Sequence, residues 1–435
     1  MLISFSVRNY KTFRERAEWS LVASADKLHE ASHVVELPKF KLRLLKSAVV
    51  YGANASGKSK LVEAMAFMKH FVQSSFTQNQ QDEPTGTEAF RLSTETVTQP
   101  SEFEILFYYE QDLFRYGFEA TSSRVVSEWL YRRTTTKEHE VFYRDETGVK
   151  FGKAAGTTIA SVVREIGVRE NILLLSLAAQ LNHAPAKAVQ TWFSKKLAIL
   201  SGLDSDQYWQ FTLSQLEEPG RKESIIRLLH AAGFDIEDAS FEKPDVHQLP
   251  LPQDMTREMR ERIAAKLVDA RTEHRRYDAR QMPAGTASFS LRADESAGTQ
   301  KFFALTGPLL ATLANDQVLV VDELDARLHP ALVCHIVHLF NSAELNPRGA
   351  QLLFNTHDTN LLSAGLFRRD QIWFTEKNHY GAATLYSLAD FKTNKVRKGD
   401  NFERNYIEGR YGAVPYLGDL AALPTALPLA DEHAG

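Results

Sequence analysis

A chain of 435 residues exceeds what one minimal core needs, so a division into two or three domains is expected. With 51 Lys and Arg against 55 Asp and Glu the net charge is −4, which excludes a globally basic nucleic-acid coat but leaves room for a local basic patch. The single cysteine, Cys334, excludes a disulfide scaffold and any cysteine-based zinc site. No apolar run approaches the ~18 residues that span a bilayer. Arg8, Lys11, Arg14 and Arg16 interrupt any signal sequence, so a cytoplasmic protein is expected.

The first expected strand is Leu2 to Val7, followed after Arg8-Asn9 by Tyr10 to Phe13. An apolar run from Leu44 to Tyr51 leads into a glycine-bearing loop and then a helical stretch from Lys58 to Val72. Strand, loop and helix in that order form the layout of a nucleotide-binding α/β unit. Residues 73–100, rich in Gln, Thr and Ser, read as a surface loop. From Phe103 to Phe151 the runs FEILFYYE, FRYGFEA, EWLYRRT and EVFYRD, separated by turn residues, predict an antiparallel meander. Residues 158–268 read as mainly helical. Val189, Trp192, Phe193 and Leu197 form one apolar stripe and Met255, Met259, Ile263 and Leu267 another, both read as core, with Pro250-Leu251-Pro252 joining two helices. After Ser288 the α/β alternation returns: a helix near Thr299 to Leu313, a strand Val318 to Val321, a helix Ala331 to Phe340 and a strand Gln351 to Asn355. The expected fold is α/β, with a first lobe over 1–155 (P-loop plus antiparallel sheet), an inserted helical subdomain over 156–285, a second lobe over 286–420 and a loose tail over 421–435.

Gly52-Ala53-Asn54-Ala55-Ser56-Gly57-Lys58-Ser59 fits the P-loop pattern G-x-x-x-x-G-K-[ST]. Such a loop aims successive backbone N–H groups at phosphate oxygens, lets Lys58 reach the β- and γ-phosphates and offers the Ser59 hydroxyl to Mg²⁺. The alternative is a glycine-bearing turn without a ligand. Its place between a buried-looking strand and a helix favours the phosphate reading. Val318-Leu319-Val320-Val321-Asp322-Glu323 is an apolar strand ending in two carboxylates. Asp322 suits the Mg²⁺ shell and Glu323 the orientation of an attacking water; an ordinary solvated strand end is the alternative that the P-loop outweighs. Glu295-Ser296-Ala297-Gly298-Thr299-Gln300 opens a helix, and its Ser296 and Gly298 offer a hydroxyl and backbone amides to a phosphate, unless they form a simple cap. Phe354-Asn355-Thr356-His357-Asp358 ends a strand, placing His357 toward a γ-phosphate or in a structural role.

These four motifs in this order resemble the ABC-type ATPases of the RecF/SMC class. In that class the P-loop of one protomer faces the signature Ser-x-Gly of another across sandwiched ATP. The combination of ESAGTQ, DELDARLHP, THDTNLL and GRYGAVP resembles, more closely, the RloA-like ATPases of bacterial phage defence and abortive infection, usually encoded beside a nuclease or toxin. The resemblance implies that ATP is bound by Gly52, Asn54, Ala55, Ser56, Gly57, Lys58, Ser59 and Lys60, with Ser296 and Gly298 acting in trans. It implies catalysis by Glu323, Lys58 and His357, and a Mg²⁺ shell of Ser59, Asp322 and the Q-loop residue Gln180, for which a solvated helical side chain is the alternative. The D-loop aspartate of transport ATPases aligns with His329, while Asp325 sits four residues earlier, so either could serve. The insertion is too short for an SMC-length coiled coil. No D-x-D follows His357, so the TOPRIM nuclease of the related OLD proteins is not expected.

The implied function is a Mg²⁺-dependent ATPase that dimerises on ATP and acts as a switch in anti-phage defence, controlling a partner nuclease or toxin, with no membrane. The rival is a RecF-like repair ATPase that binds DNA directly, and a weaker third is a nucleotide-locked scaffold. Arg271, His274, Arg275, Arg276 and Arg280, and again Lys392, Lys395, Arg397 and Lys398, are clusters that could touch DNA or an acidic partner, or be solvated surface. His329, His335 and His338 show no third fixed ligand and are read as structural or surface residues. Tyr10 and Lys11 either touch the nucleotide or form a packed aromatic beside a solvated lysine.

Overall fold

The computed structural model describes residues 1–80, 82–155, 157–241, 252, 255–260, 263, 268–391 and 400–415. Pro250 and Leu251 of the expected linker, Leu267 of the second stripe, the basic cluster over 392–398 and the tail over 421–435 lie outside them.

A six-stranded sheet forms the centre, in the order Leu197–Ser201, Val318–Asp322, Gln351–Asn355, Ser47–Tyr51, Ile372–Lys377, Ala383–Ser387. Its first five strands run parallel and the last is antiparallel. The inner strands carry apolar side chains on both faces because both faces are covered. Val318, Val320, Leu353 and Val50 point into one core, shared with the helix Lys58–Gln78. Their neighbours Leu319, Val321, Leu352, Phe354 and Val49 point into a second core, shared with the helices Ala297–Ala314 and Pro330–Asn341. Strand alternation thus builds a layered α/β architecture from one sheet.

The meander is a seven-stranded antiparallel sheet in the order Gly148–Phe151, Glu138–Asp145, Val125–Arg133, Asp112–Ala120, Ser101–Tyr109, Leu2–Arg8, Ala17–Ser20. Phe103, Ile105 and Phe107 alternate inward. Phe107 stacks on Trp192 at 4.2 Å between ring centroids, and Phe118 meets Phe71 of the helix Lys58–Gln78 at 5.4 Å. The outward residues make a cross-strand charge ladder, with Arg8 on Glu102 and Glu119 and Arg115 on Glu104 and Glu138. Gln351 fastens the two sheets together: its Oε1 accepts from Leu2 N at 2.6 Å, and its Nε2 donates to Leu2 O and Leu45 O.

Three stretches differ from expectation. The run from Leu44 to Tyr51 is two strands, Leu42–Leu45 and Ser47–Tyr51. Lys46 parts them, its buried ammonium donating to Ser342 O and Asn346 O at 3.2 Å. The block expected to be helical also supplies the central strand Leu197–Ser201 and part of a three-stranded sheet, Asp238–Phe241, Ala270–Tyr277 and Pro283–Ser290. An apolar run of five residues does not distinguish a strand from the end of a helix, which is why Leu197 reads as the last member of a helical stripe. Residues 73–78, expected as loop, prolong the helix Lys58–Gln78.

Glu128 anchors the helical block to the antiparallel sheet. Fully buried, it accepts from Leu174 N at 2.6 Å, Leu175 N at 2.8 Å and Tyr116 Oη at 3.0 Å. It thereby caps the N-terminus of the helix Leu174–Gln180, where a carboxylate opposes the helix dipole. Burial nonetheless raises its pKa above the usual carboxylate range. Glu128→Ala leaves two amides and a phenol without a partner and is expected to cost about 3 kcal/mol, read as a lowered denaturant midpoint at unchanged slope.

Candidate functional site

The parallel register brings the motifs to one edge. Val321 pairs with Phe354, Asn355 with Val50 and Phe374 with Tyr51, so Asp322, Thr356, Gly52 and Thr375 all emerge at the carboxyl ends of the strands, where open α/β sheets bind ligands. A cavity of about 820 Å³ opens there. Gly52, Asn54, Ala55, Ser56 and His357 line it, together with Thr375 and Tyr406.

The loop is shaped by close approach. A Cβ at Gly52, whose φ is +154°, would fall 2.5 Å from Ser56 Oγ and from Thr375 O. The Ser56 hydroxyl is buried and bonded to Thr375 Oγ1 at 2.7 Å, so it fixes the loop to the neighbouring strand. Ala55 takes a positive φ of 61° at the loop tip. Gly57 precedes the helix Lys58–Gln78, whose first turn carries Ser59 and, directly after the loop that lines the cavity, leaves amides without intrahelical partners. Lys58 is 5% exposed, with Nζ donating to Gly52 O at 2.8 Å and Ala53 O at 3.1 Å. Lys60 pairs with Glu63 one turn on, at 2.6 Å.

The acidic end of the strand Val318–Asp322 is held by a residue that sequence reasoning assigned no role. Asn355, fully buried, donates through Nδ2 to Asp322 Oδ1 and accepts from Glu323 N at 2.7 Å through Oδ1. Its carbonyl also accepts from Leu324 N at 3.2 Å. Glu323 is thereby kept at a φ of 54°, a left-handed conformation that costs a non-glycine residue about 1–2 kcal/mol. Gly202 backs the same turn: its N donates to Asp322 O at 2.5 Å, and a Cβ there would lie 1.9 Å from Glu323 O. The only hint in the sequence was a polar residue closing an otherwise apolar strand.

Asp325 accepts from His357 N at 3.2 Å, whereas His329 caps the helix Pro330–Asn341 by accepting from Ala331 N at 3.2 Å. Of the two D-loop candidates, Asp325 is the one beside the site. Ser296 caps the helix Ala297–Ala314 by accepting from Thr299 N at 3.1 Å, and it stays exposed, as does Ala297. Gly298 lies against Arg327 O. Neither Ser296 nor Gly298 lines the cavity of its own chain.

Gln180 is not brought to this cavity. Its helix docks through Ser176 Oγ on Val72 O at 2.8 Å and leaves Gln180 exposed. Val72 is about 21 Å along the helix from Lys58, at 1.5 Å per residue. Tyr10 is core, stacked on Phe67 at 5.7 Å, and Lys11 is paired with Glu63 at 2.8 Å and Glu88 at 3.3 Å rather than solvated. In the first basic cluster, His274 bonds Glu295 at 2.6 Å and Arg275 pairs with Glu237 at 2.6 Å, while Arg271, Arg276 and Arg280 are exposed. Among the described residues, no group of three His, Cys, Asp or Glu side chains is arranged to hold a metal, and no helix is long and apolar enough to cross a membrane.

The chain belongs to the family described as "AAA domain, putative AbiEii toxin, Type IV TA system", whose sequence model matches residues 47–363. No curated protein matches the chain. Among solved structures it is similar to an SMC head bound to the C-winged helix domain of ScpA, at 14% identity over 91% of this chain and 99% of that one, with a TM-score of 0.45. It is also similar to the SMC head domain from Thermotoga maritima, at 10% identity over 89% and 98%, with a TM-score of 0.39. A third is cbiO1 from Clostridium perfringens, part of an ABC transporter complex, at 9% identity over 82% and 87%, with a TM-score of 0.29.

Electrostatics in the cavity are set by burial. Desolvation pushes the Lys58 ammonium down to about 8, against the pull of Glu323, Asp322 and Asp325. The His357 pKa is lowered by its own burial and then by Lys58, against the pull of Asp325, Glu323 and Asp322. A polyphosphate arriving on Lys58 favours the charged form. Binding at pH 8.5–9 therefore takes up as much as about one proton, and the uptake fades below pH 7, where Lys58 is already charged. Calorimetry of ATP binding in two buffers of different ionisation enthalpy checks this; equal apparent enthalpies at pH 8.5–9 would contradict it.

Proposed function

We propose that this AAA-domain chain binds and hydrolyses ATP in a Mg²⁺-dependent reaction at a site completed by a second copy of itself. The observation that carries the reading is the arrangement at the sheet edge, where Asn355 holds Asp322 and Glu323 within electrostatic reach of Lys58, beside the cavity lined by Gly52 to Ser56 of the P-loop. P-loop amides, the helix N-terminus and Lys58 bind the phosphates and stabilise the charge that develops on them. Glu323 orients water for in-line attack on the γ-phosphorus, the leaving oxygen stays with ADP, and His357 contacts the γ-phosphate from the neighbouring strand.

Ser59 and Asp322 offer oxygen donors of the kind that suit a hard cation, and among the described residues Asp322 Oδ2 accepts no hydrogen bond. Mg²⁺ held there would neutralise phosphate charge. Gln180 could join that shell only after a movement of the helix that carries it.

The exposed N-terminus at Ser296, absent from its own chain's cavity, supports a head-to-tail dimer in which Ser296 and Gly298 meet the other protomer's ATP. ATP occupancy then reports assembly, and the chain works as a switch. The family description, with its abortive-infection toxin, supports a place in anti-phage defence and control of a partner nuclease or toxin, as the likeness to RloA-like ATPases implies. Direct DNA binding is the second reading: in the first basic cluster His274 and Arg275 are engaged by carboxylates of the same chain, whereas Arg271, Arg276 and Arg280 are exposed.

Glu323→Gln is expected to bind ATP, lower turnover at least about 100-fold and accumulate as a dimer or larger species, read by light scattering beside phosphate release. A variant that stays monomeric while the wild type turns over normally would remove the trans role of Ser296 and Gly298. Asn355→Ala is expected to lower turnover about tenfold or more while changing ATP affinity by no more than about threefold, since it misplaces Glu323 and leaves the phosphate cradle intact.

A further inference from the structure

Part of the cavity wall comes from beyond residues 47–363, the stretch that the family model matches. Tyr406 and Ile407, at the end of the helix Phe402–Ile407, line the cavity together with Ala413, Val414 and Pro415. The last three close the run GRYGAVP, Gly409 to Pro415, which by itself declares no chemistry. The run is firmly built. Tyr411 Oη accepts from Asn405 Nδ2 at 3.0 Å, and Tyr411 O accepts from Tyr386 Oη at 2.8 Å. Gly412, at a φ of 71°, passes so close that a Cβ would lie 2.7 Å from the Tyr386 hydroxyl. Ala413, buried, then takes a φ of 58°, a left-handed conformation that a non-glycine residue keeps only where its surroundings hold it.

Tyr406 supplies that hold and carries it to the P-loop. Its ring packs on Tyr51 at 5.7 Å and on Phe374 at 5.4 Å between centroids, and Tyr51 leads directly into Gly52. Its buried hydroxyl donates to Ala413 O at 3.1 Å and accepts from the backbone N–H of Gly52. Burial raises the pKa of the phenol, so it keeps its proton and serves both partners at once. The other backbone group of Gly52, its carbonyl, accepts from Lys58 Nζ at 2.8 Å. A polyphosphate draws the Lys58 ammonium to its own oxygens and so loosens that second hold. The Tyr406 contact is then what still fixes the first residue of the loop. Thr359 Oγ1 donates to Glu403 Oε1 at 3.2 Å, which ties the same short helix to the segment after His357.

We propose that Tyr406, Ile407 and Ala413 to Pro415 form a wall of the ATP site, and that Tyr406 is a positioning residue for phosphate binding, its hydroxyl fixing Gly52 once Lys58 has turned to the nucleotide. This rests on the ATP-binding reading and adds to it an element from outside the matched family region. The side chains of Ile407, Val414 and Pro415 carry no group able to bond a phosphate. The effect of the wall on affinity therefore passes through Tyr406 and Gly52.

The test pairs Tyr406→Phe with Tyr411→Phe. Each loses one bonded hydroxyl from a buried tyrosine of the same segment, but Tyr411 does not line the cavity. Equilibrium binding of ATP-Mg²⁺, steady-state kinetics and thermal melting are read on both. For Tyr406→Phe the expected result is ATP affinity lowered about five- to tenfold, KM raised by a similar factor and kcat within about twofold of wild type. Tyr411→Phe is expected to keep its ATP affinity within about twofold, at a comparable melting temperature. Wild-type affinity in a folded Tyr406→Phe overturns the proposal. So does an equal loss of affinity in both variants, since the segment is then only structural. Hydrogen exchange on the unaltered chain needs neither variant: ATP-Mg²⁺ is expected to slow exchange over 405–415 as well as over 52–59. Protection of 52–59 alone overturns the proposal. A wild type that neither binds ATP nor shows protection at 52–59 refutes the underlying reading instead, and the two failures are distinguishable.

Discussion

The site depends on one buried amide. Asn355 uses both ends of its side chain at once, donating to the carboxylate of Asp322 and accepting the N–H of Glu323. An aspartate there could not donate, and a leucine could do neither. The strained φ of Glu323 survives because that N–H, the carbonyl behind it and the Gly202 backbone beneath it are all held. Because Asn355 pairs in register with Val50, one residue before Tyr51 and the loop, the same parallel ladder that aligns the strands sets the spacing between the acidic turn and the phosphate cradle.

Burial and charge oppose one another in this cavity, and burial wins. Lys58 faces three carboxylates that would normally raise a lysine's pKa, yet desolvation lowers it to about 8. Lys301 shows the same outcome and reaches the same value, although Asp325 and Glu323 favour its charge. Lys58 gains what it lacks from an anionic ligand. Lys301 has no access to one and satisfies its ammonium with backbone carbonyls. Both ammoniums donate to loop carbonyls, Lys58 to Gly52 O and Ala53 O and Lys301 to Leu324 O and Ala326 O, and only Lys58 belongs to the loop that lines the cavity.

Features written contiguously were legible in the sequence. The P-loop's place between strand and helix, the apolar strand ending in Asp322-Glu323 and the Ser-x-Gly at a helix start each declare their position in the fold within a few residues, and the central strands show as unbroken apolar runs. The meander showed because one of its faces is wet, so its residues alternate. What could not be read was contact across the chain. Thr375 locks Ser56 from 319 positions away, and Lys301 reaches a loop more than twenty residues downstream. Gly202 follows a strand too short to separate from the helix before it. Gln180 illustrates the converse: a glutamine at the end of an apolar helix fits a motif in sequence, while Ser176 holds that helix on the far half of the P-loop helix.

In the dimer proposed above, the capping of the helix Ala297–Ala314 gives a physical reason for a second chain. Ser296 already spends its hydroxyl oxygen on Thr299 N, so the donors left at the helix start are the amides of the first turn, at an exposed position outside the lining of the chain's own cavity. Those donors are satisfied by water until an anion arrives, and an anion held by another protomer's P-loop gives them a partner of fixed geometry. The gain is small per hydrogen bond in water but larger in a closed, desolvated interface, where the dipole of an eighteen-residue helix is no longer screened. In the proposed dimer, assembly and phosphate recognition would therefore reinforce one another, because closing the interface would make the helix N-terminus an effective partner for the ATP held between the chains.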